Sequence, residues 1–558
     1  MMDDILATVK FYNDDIKKHI GYDRFKELVI ALGMDIESSD DTSITIDITP
    51  NRPDLLDFAG LMRAIGLIEG DKKLREYSLS SSAPIKKLNV TKKVNGVRPF
   101  IEAFAVMGAD LSGNKLQYLI NFAEKIGDTY GRRRKKLAIG LHNMDAIKGN
   151  LEYGATASAR FTPLDSELEH DFDDIIKRHP KGIEYAHTLT KKGNIAKVYP
   201  FLKDQEKILA MIPIINSGAT KITEKTKNLF IDITGTDEKA IHDVAGIFAC
   251  SFIDSGADVF SIDTEYGKKK AAHYALQYKR ITINPNRVSA RLGHEMGKKD
   301  ILQLLSRMGY GSAYEKGKLV AIVPPYRVDV LNWQDIVEDI AIAVGYDAIE
   351  PKPIYGTAHG MPSLFTSLKD NLSYLMVGMG FFEGINTYLT NETNDFENMQ
   401  RKPDTDSIVR IEYSKTEAYS ILRQRLLPSL MQDLGTSAHE KMPQKLFEIG
   451  SIFRVEHGNA IESTALAMVS EHSKANFAEI KGYVEALLDR MQIEYSFCDS
   501  DDPAFIGGRC LGIMTGKRRI GVFGEMHPQV LNNFKLEEPV VAAEVTLLEN
   551  IDYLEGLE

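Results

Sequence analysis

A chain of 558 residues cannot close around one hydrophobic core, because single cores stop growing at about 250 to 300 residues. Length alone predicts roughly three to five domains, and punctuation suggests where they divide. Residues 1–85 read as a small α/β module. In it a helix through Phe25, Leu28, Val29 and Leu32 stops at Gly33, and a strand alternates through Ile44, Ile46 and Ile48. The prolines of Thr49-Pro50-Asn51-Arg52-Pro53-Asp54 break that strand, and Asp54 is expected to cap a helix running to about Leu67. The polar stretch from Ser78 to Pro84 reads as a linker. A mixed unit over 86–268 ends at Lys268-Lys269-Lys270, and a third unit over 271–350 holds a helix through Ile301, Leu304, Leu305 and Met308 that stops at Gly309. Residues 351–558 alternate strands such as Ala465–Val469 and Val541–Val545 with helices such as Lys481–Leu488. The expected class is therefore α+β and multidomain, without internal repeats or low-complexity tracts.

Hydrophobic content of 43% and charged content of 26% are those of an ordinary globular protein. A net charge of −11 excludes a surface coated everywhere by nucleic acid, and no DNA partner is expected. It leaves room for a local basic patch, and Arg132-Arg133-Arg134-Lys135-Lys136 is one. Those side chains could contact nucleic-acid phosphates or simply decorate a solvated loop. The cysteines Cys250, Cys498 and Cys510 are scattered, with neither disulfide-like nor zinc-like spacing, which fits a reducing compartment. An acidic start and the lack of a bilayer-length apolar run point to a cytoplasmic protein with no membrane partner.

The third unit carries the most conspicuous cluster. Tyr326-Arg327-Val328-Asp329-Val330 reads as a strand ending near Asp329, and the helix after Asn332 presents Asp335, Glu338 and Asp339 on one face. The opposite face is apolar, through Ile336, Val337, Ile340, Ala341 and Val344, and Gly345 is the stop. Like charges at this spacing repel, so the cluster calls for a neutralising partner. Four carboxylates suit magnesium, a hard cation that takes oxygen ligands. The alternative is a capped helix with a solvated acidic face, and spacing does not choose between them.

Asn51-Arg52-Pro53-Asp54-Leu55-Leu56, followed by Gly60, Arg63 and Gly66, resembles the N-terminal module of the phenylalanyl-tRNA synthetase beta-subunit family. Asp329, Asp335, Glu338 and Asp339 resemble the acidic signature of that family's fifth domain in order and spacing. Ser420 to Leu430, Phe447 to Phe453 and Gly521 to Pro528 resemble its synthetase-like domain. The chain leaves no room for the inserted oligonucleotide-binding and anticodon-binding domains of the bacterial type, so the resemblance is to the shorter archaeal or eukaryotic type.

The resemblance implies four parts: an N-terminal module (1–85), an editing domain (86–268), a magnesium-binding fifth domain (271–350) and a class II catalytic-like antiparallel-sheet domain (351–558). It raises the odds of Mg2+ at the four acids. It also implies an alpha subunit in an α2β2 assembly, a tRNA partner, and ATP as substrate of the complex. Between Val469 and Glu558 there is no glycine-rich motif ending in arginine, and Gly512 to Lys517 is followed by Arg518 where a phosphate loop needs Ser or Thr. Aminoacylation is therefore expected on the alpha subunit, and no catalytic residue for it here.

Met211 to Gly218 and Leu229 to Thr236 resemble the family's editing pocket. A phenylalanine site cannot strongly reject an added hydroxyl, so tyrosine is the predictable error. The resemblance makes Asp232 the acceptor of the tyrosine hydroxyl, with Asn216, Ser217, Thr234 and Thr236 positioning ester or water. Alternation on a half-exposed strand would instead turn Asp232 outward. His142 is a candidate general base without a located partner, and a hydrogen-bonded structural role suits it better. Two rival functions stay open: a scaffold that does not edit, and a self-sufficient magnesium-dependent nucleotide enzyme.

Overall fold

The computed structural model describes residues 7–549 apart from 81–86, 192–193, 196–197, 268–271, 316, 352, 354–355, 357–359, 413 and 415. Most of the expected linker and the Lys268–Lys270 run thus lie outside the described residues. The chain forms two compact units, Met1–Ile354 and Tyr355–Glu558, both mixing helices with sheets.

In the first unit, strands Thr8–Tyr12, Ser43–Asp47 and Asp35–Ser39 make a small antiparallel sheet, with Ile44, Ile46 and Ile48 buried as the alternation predicts. The helix Tyr22–Ala31 follows its apolar spacing and the chain reverses at Gly33, whose φ is 80°. The helix after the second proline starts later than expected. Pro53–Leu56 is a single 3-10 turn, and Asp57, not Asp54, caps Phe58–Glu69 by accepting from the Ala59 and Gly60 amides. Two aspartates three residues apart each suit a cap, and the ion pairs of Asp54 with Arg52 and Arg63 leave the cap to Asp57.

The centre of this unit is an antiparallel sheet in the order Asp258–Ser261, Phe100–Met107, Leu229–Gly235, Leu137–Asn143. One face packs against helices Lys115–Asp128 and Glu238–Asp254, where Phe122 and Phe248 stack at 4.3 Å. The other face packs on a seven-stranded sheet that includes Tyr199–Lys203 and Ile208–Met211, with Phe230, Leu202 and Leu209 in the shared core. All seven residues of Leu229–Gly235 are buried, because the strand has neighbours on both edges and layers on both faces. The half-exposed alternative for Asp232 is thereby excluded.

Strands Lys279–Ile283, Lys318–Val323 and Gly311–Glu315 make a further three-stranded sheet, next to helices Lys298–Arg307 and Trp333–Val344. The expected strand over Tyr326–Val330 is absent. Pro324 and Pro325 end the preceding strand at Val323 and the chain turns instead. Asn332 does cap the acidic helix, with Oδ1 accepting from Gln334 N at 2.8 Å.

The second unit is built on a seven-stranded sheet in the order Phe382–Glu383, Gln444–Glu456, Asn459–Glu471, Val540–Glu549, Arg518–Met526, Phe505–Thr515, Ser496–Asp499. Every neighbouring pair is antiparallel except the Phe382–Glu383 edge. Helices Leu364–Gly378 and Phe477–Arg490 cover one face and Leu427–Thr436 the other. Residues 512–517 are the tip of a hairpin in which Thr515 faces Arg518, so the phosphate-loop lookalike is two strands and a turn.

Candidate functional site

Asp232 stands opposite Gly140 on the neighbouring strand. Its carboxylate lies across that glycine, where a Cβ would be 2.0 Å from Oδ2. His142, two residues further along, shares the same face as the diagonal neighbour. Its Nε2 is 3.0 Å from Asp232 Oδ2, and its Nδ1 is 2.8 Å from Thr220 Oγ1. Both side chains are buried, at 2% and 0% exposure. An ionised carboxylate only accepts, so the network assigns the proton to Nε2 and leaves Nδ1 to accept from Thr220. Among the described residues nothing hydrogen-bonds Asp232 Oδ1.

The partner missing from the sequence reading of His142 is thus Asp232, 90 positions away. The signal available was Gly140-Leu141-His142 itself, a glycine and a histidine on one face of a strand. Arg98 also escaped notice. It is buried, with Nε 3.1 Å from Thr234 Oγ1, Nη2 2.7 Å from Thr234 O and Nη1 3.1 Å from Arg134 O. Burial lowers its pKa to about 10, while the nearby Asp232 carboxylate favours its charged form.

Asp232, Thr220, Thr234 and Arg134 border a cavity of about 250 Å³, with His142 and Arg98 behind its lining. Its apolar walls include Ile139, Leu141, Met211, Ile212 and Ile214, and its polar points are Asp232, Thr234, Asn216, Ser217 and Thr220. The volume is below the about 300 Å³ at which ligand cavities usually start, and suits one side chain better than a nucleotide. Asn216 Nδ2 donates to Leu141 O at 3.2 Å. The Ser217 hydroxyl is engaged by Thr162 O and by the Ala219 amide, both at 3.2 Å, so it shapes the turn that follows. Thr236 lies apart: it is exposed, past the strand end, and its hydroxyl donates to Lys135 O.

The basic run divides. Arg132, Arg133 and Arg134 have φ of 52°, 51° and 60°, three consecutive left-handed residues at a cost of about 1–2 kcal/mol each. The turn directs Arg134 to the cavity wall, where Nη1 donates to Pro213 O at 3.2 Å and Ile214 O at 3.0 Å and the guanidinium covers the Tyr185 ring. Lys136 pairs with Asp237 at 3.3 Å. Arg132, Arg133 and Lys135 are exposed.

The acidic cluster does not converge. Arg327 Nη2 contacts Asp329 Oδ2 at 2.7 Å and Asp339 Oδ2 at 2.6 Å, and the Tyr310 hydroxyl also bonds Asp339. Asp335 closes a capping box, with Oδ2 accepting from Leu331 N and Asn332 N at 2.7 and 2.9 Å. Glu338 receives the Tyr346 hydroxyl. Among the described residues no group of three His, Cys, Asp or Glu could hold a metal ion. The four acids in this arrangement do not fit a magnesium shell, because the neutralising cation that spacing calls for is Arg327, two residues before Asp329.

The motif at 51–56 is likewise a buried ion network. Arg52 grips both Asp54 oxygens at 2.9 and 3.0 Å, and Arg63 bridges Asp54 at 3.2 Å to Asp254 at 2.5 Å while its guanidinium lies 3.6 Å from the Tyr326 ring. Gly60 is required, since a Cβ there would be 1.9 Å from Asp54 O. In the second unit, fully buried Arg423 holds Glu448 Oε1 at 2.6 Å and Ser451 O at 2.9 Å, which joins the Ser420–Leu430 and Phe447–Phe453 segments.

Comparison with known proteins gives a consistent result. The family described as "Phenylalanyl tRNA synthetase beta chain CLM domain" matches residues 351–547, and "tRNA synthetase B5 domain" matches 281–346. The phenylalanine–tRNA ligase beta subunit of Archaeoglobus fulgidus is 34% identical over 97% of this chain and 98% of its own length. That of Methanosarcina barkeri is 33% identical over 97% and 99%. An N-terminal fragment of the phenylalanyl-tRNA synthetase beta subunit from Pyrococcus horikoshii aligns with a TM-score of 0.57 at 28% identity, covering 60% of this chain and 99% of the fragment.

Proposed function

Because the chain belongs to the phenylalanine–tRNA ligase beta-subunit family, and is thus a subunit of an aminoacyl-tRNA ligase complex, we propose that its Asp232 cavity hydrolyses tyrosine wrongly attached to the tRNA for phenylalanine. One observation carries the reading: a buried carboxylate, whose Oδ1 has no hydrogen-bond partner among the described residues, borders an apolar cavity of side-chain size. A tyrosine ring in that cavity donates its hydroxyl to Asp232, whereas phenylalanine leaves the oxygen unpaired. An unsatisfied buried acceptor costs about 1–3 kcal/mol, or about tenfold per 1.4 kcal/mol, in favour of tyrosine. The synthetic site has the opposite bias.

His142 holds the carboxylate from its far side, and Thr220 fixes the imidazole. The Thr234 hydroxyl oxygen is occupied by Arg98 Nε, which leaves its proton for the ester or for a water. Asn216 and Ser217 shape the cavity wall on this reading, and Thr236 has no part in it. Arg132, Arg133 and Lys135 offer exposed charge to tRNA phosphates, so binding should weaken with salt.

An alpha subunit is the partner expected for the second unit. Leu364, Tyr374, Val377, Phe382 and Ile385 are exposed there, at 58 to 88%, and such a patch calls for cover. ATP and Mg2+ enter as requirements of the assembled ligase, an α2β2 complex working in translation in the cytoplasm. No helix among the described residues is long and apolar enough to cross a membrane.

The test is Asp232→Ala in the ligase assembled with its alpha subunit. Hydrolysis of tyrosyl-tRNA should fall at least about tenfold while phenylalanine charging stays within about twofold. Unchanged hydrolysis would reject the cavity, and a wild-type complex without hydrolysis would leave only the scaffold reading.

A further inference from the structure

The second unit holds a cavity of about 840 Å³ that shares no lining residue with the Asp232 cavity. Its floor is a continuation of the sheet face under helix Leu427–Thr436. Along Val540–Glu549, Val540 and Ala542 pack beneath that helix, and Glu544 and Thr546 extend the same face into the cavity. Along Asn459–Glu471, Val469, Ala467 and Ala465 pack and Ser463 follows. On both strands the pattern changes from apolar to polar where the helix cover ends.

Three donor groups around this floor lack a hydrogen-bond partner among the described residues. Arg401, 8% exposed, spends Nε and Nη2 on Asp502 at 3.0 and 2.9 Å, and its buried Nη1 has no partner. Ser463, 4% exposed, has a buried hydroxyl with no partner. Among the described residues Arg425 makes no side-chain hydrogen bond. Its pKa is lowered first by the neighbouring Arg401 cation and then by burial, a sign of two guanidiniums held close. Two of the lining acids, by contrast, are engaged. Glu544 accepts from the Leu426 and Leu427 amides at 3.2 and 3.3 Å, and Asp502 is gripped by Arg401.

We propose that this cavity binds a small phosphate-bearing molecule, whose oxygens accept from Arg401 Nη1, Arg425 and Ser463 Oγ. Unpaired guanidinium and hydroxyl donors match a tetrahedral oxyanion. The volume lies within the range of cavities that take drug-sized ligands, so there is room for a nucleoside monophosphate beyond the bare ion. The lining also decides against a nucleic-acid backbone. Arg401, Lys402, Arg425, Arg454 and Arg519 are matched by Asp404, Asp499, Asp501, Asp502 and Glu544, so the lining has no net positive charge to draw in a strand of phosphates, and a single group is held by local hydrogen bonds.

The experiment is calorimetric titration of the full-length chain with AMP, inorganic phosphate and adenosine. AMP should saturate one site, phosphate should compete with it, and adenosine should not bind. Arg425→Gln and Ser463→Ala should each weaken AMP by about tenfold, and neither removes a hydrogen bond of the Arg401–Asp502 pair. Ser463→Ala also removes a buried unpaired hydroxyl, so the ligand-free variant should unfold no earlier than the parent, which separates lost binding from lost folding. The proposal is overturned by absent AMP binding, by equal affinity in both variants, by adenosine binding as tightly as AMP, or by tRNA displacing AMP.

Discussion

Asp232 and Asp339 are both buried in the first unit, at 2% and 5% exposure, yet their surroundings answer the negative charge differently. Asp339 has a guanidinium at 2.6 Å and a phenol beside it, and Arg327 ties it to Asp329. Asp232 has only an imidazole, at 3.0 Å, and the nearest buried guanidinium spends its hydrogen bonds on Thr234 and Arg134. The first charge is cancelled at contact and braces the fold. The second stays open toward an apolar cavity, where an acceptor can discriminate between ligands. A buried acid becomes useful for recognition when its compensation is incomplete. Asp395 in the second unit is a third case: Gln424 N bonds Oδ2 at 3.0 Å, Oδ1 has no partner, and burial pushes its pKa up to about 6.

The largest effect should come from breaking the cancelled pair. Arg327→Met leaves two acids without their cation and should destabilise the full chain by about 3–5 kcal/mol in urea unfolding. In the parent, a chelator should leave the midpoint unmoved. A small loss in the variant together with a magnesium-dependent midpoint in the parent would return the cluster to a metal role. Next comes Asp395, whose folded pKa of about 6 lies above the unfolded 3.8. The folded chain holds the extra proton between those values, so this stability is complete below pH 3.8 and is lost as pH rises through about 6. The loss is on the order of 3 kcal/mol at about 1.4 per pKa unit, and Asp395→Asn should flatten the slope of stability against pH in that window. Smaller again is Gly140→Ala. A methyl 2.0 Å from Asp232 Oδ2 must displace the carboxylate, at a cost of about 1–3 kcal/mol, with the proposed proofreading lost and phenylalanine charging by the complex kept. Intact proofreading in this variant would show that Asp232 need not stand where it does.

The sequence disclosed local features well and distant pairings poorly. The acidic helix was legible down to its Asn332 cap and its Gly345 end, because caps and helical spacing are encoded within a few residues. The partner of its acids was not. Arg327 stands beside Asp329 in the chain, but a strand reading over Tyr326–Val330 sent their side chains along the same face without saying that Asp339 would join them. Pro324-Pro325 was the warning against that strand. Asp54 was the expected cap, and the packing of Arg52 and Arg63 around it leaves that role to Asp57. Asp232 was legible as an acid among apolar residues. Its pairing with His142 and the nearby Arg98 depend on strand neighbours far away in sequence.

The claim that Asp232 reads the tyrosine hydroxyl is tested most directly by a crystal structure of the chain with a non-hydrolysable tyrosyl-adenosine, amide-linked at the 3′ position. The account predicts the ring in the Asp232 cavity, with its hydroxyl oxygen about 2.5–3.0 Å from the carboxylate. A ring seated elsewhere, or a hydroxyl turned away from Asp232, would contradict it.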